Sequence, residues 1–104
     1  MTTFDDRQRG FETKFARDEE QAFKVLARRN KALALWAGAI LGKDGAELDA
    51  YVQEVMRADL QEAGDEDVFR KVSADLQGRE DAQTVRAKMS ALLETAQHQI
   101  SAGE

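Results

Sequence analysis

Apolar residues recur along this chain at three- and four-residue intervals, and glycines mark where that rhythm breaks. Gly42 with Gly45, then Gly64, then Gly78 divide it into four segments, each with helical periodicity. The first runs from about Asp5 to Leu41. In it Phe4, Phe11, Phe15, Ala22, Leu26, Leu33 and Ile40 fall on one narrow stripe, and Asp5–Arg9, Lys14–Asp18 and Glu20–Lys24 have the i,i+4 spacing that supports an exposed helix. The second, Ala46 to Ala63, turns Leu48, Tyr51, Val52, Val55, Met56 and Leu60 to one side. Asp65 is the expected cap of the third, with Glu66 and Asp67 favouring its dipole and Val68, Phe69, Val72 and Leu76 facing inward. Asp81 caps the fourth, whose inner positions are Val85, Met89, Leu92, Leu93, Ala96 and Ile100. The expected fold class is all-α, a four-helix bundle-like domain.

Segment lengths then decide what the first helix does. Fully helical, it spans roughly 55 Å, whereas the fourth and next longest spans roughly 33 Å. About fourteen residues therefore have nothing in the chain to lie against, at about 1.5 Å each. The overhang is N-terminal, because Leu26 to Leu41 is the richest apolar stretch and belongs in the core. The N-terminal part of the first helix is thus expected to project or to be disordered. The division is an arm over residues 1–18 and a four-helix domain over 19–104. Phe4 and Phe11 have no expected partner inside the chain, Phe15 stands at the boundary, and Phe23 is expected to touch the bundle. Ordering about fourteen backbones costs on the order of 1–2 kcal/mol each, so such an arm is suited to fold on a partner's groove.

Composition narrows the function. The chain has 104 residues, no proline and no cysteine, so helices run unbroken and thiol chemistry is excluded. Residues 1–31 carry +2 and residues 32–104 carry −7, a slightly basic arm on an acidic body. That balance argues against nucleic-acid binding, which wants a basic body as well. The run ALALWAGAIL at 32–41 is too short to cross a bilayer, and no signal peptide or direct membrane insertion is expected.

Candidate chemistry is sparse. His98 is the only histidine, Asp65-Glu66-Asp67 lacks the spacing of a calcium loop, and no phosphate loop or nucleophile–base set exists. No enzyme activity, cofactor or metal is expected. The basic cluster Arg28, Arg29 and Lys31 reads as a solvated helix face, except that Arg29 falls on the apolar stripe and is expected to pair with an acidic residue of another helix. Trp36 and Tyr51 read as core residues.

Two stretches carry a specific resemblance: FDDRQRGFETKFARDEEQAFKVLARRNKALALWAGAILG and YVQEVMRADLQEAGDEDVFRKVSADL. They resemble the ζ subunit of alphaproteobacterial F1-ATPase, an ATPase-inhibitor family, over nearly the whole chain. The resemblance implies a four-helix inhibitor of ATP hydrolysis. Its N-terminal segment would enter between the catalytic α and β subunits and stop rotation of γ, placing the protein at the cytoplasmic face of the inner membrane when bound. That segment corresponds to Thr2 through about Asp18, with Phe4, Asp5, Asp6, Arg7, Phe11, Lys14 and Phe15 as contact residues. Relatives often carry histidine where this chain has Arg17, so no proton-sensing role carries over to that position. From the residues alone, a helical adaptor of another complex that docks through the same Phe-bearing arm is the alternative.

Overall fold

Helix boundaries follow the local chemistry closely. In a computed structural model, which describes the backbone of residues 3–59 and 65–103 and the side chains of residues 20–59 and 65–103, four helices follow one another: α1 (Thr3–Ile40), α2 (Gly45–Ala58), α3 (Glu66–Asp75) and α4 (Ala82–Ser101). α1 ends because Gly42 takes φ +75°, a conformation that other residues rarely adopt. The Lys43 amide donates to the Gly38 carbonyl at 2.9 Å and the Gly42 amide to the Ala39 carbonyl at 3.1 Å, which closes a Schellman cap. α4 starts where expected: Asp81 Oδ1 accepts from the Thr84 amide at 2.7 Å. Asp65 holds the N-cap position of α3 without capping it, because its carboxylate is engaged by Arg29 instead.

The helices run back and forth along α1. Lys88 lies over the Trp36 ring while Arg28 reaches Gln99, so α4 is antiparallel to α1. α2 packs most closely at Gly38, where an added Cβ would overlap Leu48 Cδ1 and touch Tyr51 Cδ2 at 3.6 Å. The core joins Leu33, Ala34 and Ala37 of α1 to Tyr51, Val52 and Val55, to Val68, Val72 and Leu76, and to Val85 and Met89. Trp36 packs against it, half-buried. Arg79 Nη1 donates to the Ile40 carbonyl at 3.2 Å, tying the α3–α4 turn to the end of α1.

Two expectations about α1 are corrected. Ala22 and Leu26 are exposed rather than core, Leu26 at 36%. Phe23 is 71% exposed rather than packed into the bundle. The buried face is Val25, Arg29, Leu33 and Ala37, with Asn30 and Ala34 beside them. The cause is partly angular, since Val25, one residue nearer the arm and about 100° around the helix from Leu26, is still buried, and partly axial: Gln99 is two residues from the end of α4, and Met56 is two from the end of α2. Both neighbours therefore give out within about a turn of this level. In α4, Leu92, Leu93 and Ile100 are half-buried. Leu60, expected on the inner side of α2, lies outside the described residues.

At 38 residues α1 is about 57 Å long against about 30 Å for the 20-residue α4, so its N-terminal part projects. The molecule measures 62 × 25 × 22 Å accordingly.

A polar knot sits just inside the open end. Arg29 is 1% exposed; its Nη2 donates to Asp65 Oδ1 at 2.8 Å and its Nε to Asn30 Oδ1 at 2.8 Å. That hydrogen bond, aided by the guanidinium charge and Arg86, holds the Asp65 carboxyl below the usual aspartate range despite partial burial. Asp59 is shifted the other way, by burial and then by the charge of Asp67. The Asn30 amide draws Asp59 partly back down, yet Asn30 Nδ2 closes no hydrogen bond within normal limits. On the other side of the bundle, Tyr51 Oη donates to Asp75 Oδ2 at 2.9 Å, and Lys71 Nζ reaches Asp75 at 2.9 Å and Glu54 at 3.1 Å.

Two predictions concern the knot. Asp65→Ala removes the carboxylate bonded to a buried guanidinium, which keeps Asn30 and the nearby charge of Asp59, and is expected to cost about 2 kcal/mol of unfolding free energy. Glu20→Ala breaks an exposed i,i+4 pair with Lys24 (3.5 Å). Its expected cost is below about 0.5 kcal/mol. Urea unfolding checks both, and comparable costs would contradict the buried-pair account. The second prediction is a two-signed pH profile. Asp59, raised in the fold, binds its proton more tightly there, so stability rises as pH falls through its folded value toward the ordinary 3.8. Asp65, lowered in the fold, adds stability that is complete above 3.8 and drains away as pH falls through its folded value. Asp59→Asn is expected to remove the rise and Asp65→Asn the fall, measured by melting temperature against pH.

Candidate functional site

The described residues offer no constellation for chemistry. No group of three or more His, Cys, Asp or Glu among them is arranged to hold a metal ion, and none of their helices is long and apolar enough to cross a membrane. His98 is exposed on α4, near Glu94 and Gln99. The buried Tyr51 phenol is held protonated by burial and its bond to Asp75, so it serves as a structural donor. Burial pulls the Lys71 ammonium down, but Asp75 and Glu54 outweigh that and leave it above the ordinary lysine value. Both features bind α2 to α3.

The residues expected to contact a partner fall on α1. The backbones of Phe4, Asp5, Asp6, Arg7, Phe11, Lys14 and Phe15 all lie within this helix, while their side chains lie outside the described residues. By helical register alone, Phe4, Phe11 and Phe15 share the angular sector that Arg29 and Leu33 occupy farther along. The sector that packs inward within the bundle thus continues along the projecting part, past the ends of α2 and α4.

At the root of this projection lies a groove of about 470 Å³. Phe23 and Ala27 of α1, Val52 and Met56 of α2, and Ile100 of α4 make its apolar surface. Lys24, Arg28 and Lys31 line it from α1, and Gln53 from α2. Sequence reasoning expects Phe23 to touch the bundle and turns Met56 and Ile100 inward, and so misses the groove. The available signal was axial: Phe23 falls about three residues short of the level at which the apolar-rich stretch begins at Leu26. Arg28 and Lys31, expected on a solvated helix face, form its basic wall.

Comparison with known proteins follows the same lines. A family model described as ATPase inhibitor subunit zeta matches residues 1–99. A protein whose solution structure was determined by NMR is 48% identical, with a TM-score of 0.69, over 79% of this chain and 96% of its own. No curated protein matches. With nearly its whole length matched, an unbroken first helix and three shorter helices packed on it, the chain belongs to the ATPase inhibitor subunit zeta family.

Proposed function

We propose that this protein is a regulatory subunit of bacterial F1FO-ATP synthase that blocks ATP hydrolysis by inserting residues 1–18 at the α/β catalytic interface, so that γ stops turning. The family match over residues 1–99 carries this reading, because it includes the projecting segment as well as the bundle. The continuation of α1 to Thr3 supports it mechanically. Inhibiting a rotary catalyst needs no bond chemistry, only a wedge that prefers one state of the catalytic interface. Phe4, Phe11 and Phe15 supply the desolvation energy, at roughly 2–3 kcal/mol per ring fully buried. Asp5, Asp6, Arg7 and Lys14 set the register and keep the unbound arm soluble. The four-helix domain over 19–104 is the holder that presents the arm and does no catalysis itself.

Deleting residues 1–18 is expected to leave the helical circular dichroism of the bundle in place, since its buried residues on α1 begin at Val25 among the described residues. The same deletion is expected to abolish inhibition of F1 ATP hydrolysis. In the full-length chain, Phe11→Ala is expected to weaken inhibition by about tenfold or more, the usual loss for a central aromatic anchor. Full inhibition by the truncated protein would sink the assignment of the arm.

A further inference from the structure

The groove at the root of the arm is not used by the arm mechanism, and two of its properties are unusual together. One is Phe23, whose ring is 71% exposed at the groove's edge. The other is its wall. Lys24, Arg28 and Lys31 occupy successive turns of α1 on one side, above an acidic remainder in which residues 32–104 carry −7. Among the described residues, Lys24 forms a weak exposed pair with Glu20. A concave apolar floor edged by one sign of charge, on a body of the other sign, selects a particular occupant.

We propose that this groove is a second docking surface for the protein that the arm binds, and that it receives a segment presenting an apolar side chain flanked by carboxylates. The inference rests on the reading of the arm as an F1-binding element. Phe23 follows Asp18 by five residues, about 7 Å along the same helix and roughly a quarter turn around it from the Phe4–Phe11–Phe15 stripe. A partner that grips the arm therefore meets the groove next, from the side. Two copies of this chain are a poorer match, since a symmetric contact through the groove sets two basic rows against each other. An anionic bilayer is poorer too, because it would face the acidic body.

The test uses full-length protein with three changes: Phe23→Ser, the pair Lys24→Glu with Lys31→Glu, and Phe11→Ser as the arm comparator. Thermal melts establish that each folds, and binding to purified F1 is titrated alongside ATP hydrolysis at two salt concentrations. Both groove variants are expected to weaken F1 binding by about tenfold. Hydrolysis is still expected to be fully inhibited once they saturate F1. The charge-reversed pair is also expected to lose most of the salt dependence of the native affinity. Groove variants with native affinity and native salt dependence would overturn the proposal, even if Phe11→Ser abolishes inhibition. Weakened groove variants beside a fully active Phe11→Ser would uphold the groove and remove the arm instead. If the groove changes alter only sedimentation with phosphatidylserine vesicles, or only self-association by ultracentrifugation, the proposal is overturned in favour of lipid or of a second copy.

Discussion

A guanidinium with almost no access to water organises the end of the bundle from which α1 departs. Arg29 cannot stay buried without an anion, and Asp65 is the residue that reaches it, at 2.8 Å. This requirement fixes where α3 begins. Once Asp65 is there, Glu66 lies beside α4 and pairs with Arg86 at 2.9 Å, and the Arg86 guanidinium stacks 3.7 Å from the Phe69 ring centroid. One buried charge on α1 thereby sets the approach of α3, and α3 in turn meets α4 through charge and ring contacts. The apolar core alone is small, and it would tolerate more than one arrangement of three short helices.

Sequence and structure agree most where the cause is local. Gly42, Gly78 and Asp81 mark chain reversals or caps, and the dihedral angles or hydrogen bonds that such residues favour are present. Arg29 was legible for a different reason: a basic residue on an apolar stripe needs an anion wherever the helix packs. Periodicity failed at Ala22, Phe23 and Leu26, because it reports the side of a helix and not how far along it the neighbours extend. Leu26 sits on the expected stripe and is still 36% exposed, because near the ends of α4 and α2 the covered side is the one that carries Val25. Gly38 was equally illegible: nothing in WAGAIL says that Leu48 will press against that position. The groove inherits both failures, being made where the C-terminal parts of α2 and α4 meet the middle of α1.

The division of labour within α1 follows from this geometry. Its C-terminal half is held by three helices and a core of Leu, Val and Ala, while its N-terminal half extends the same face without them. No proline or positive-φ glycine lies between the two halves. The direction in which the N-terminal part of α1 points is therefore set by the body that holds the C-terminal part.

The antiparallel run of α4 has a practical side. Its last turn brings Ile100 to the lip where Phe23 stands, whereas the Gly42–Gly45 and Gly78–Asp81 connections lie together at the opposite end, joined through Arg79 and the Ile40 carbonyl. A fluorophore or affinity handle attached after Ser101 would sit in the doorway of the arm. The same label inserted at either of those two turns would trail behind the molecule, leaving the business end clear.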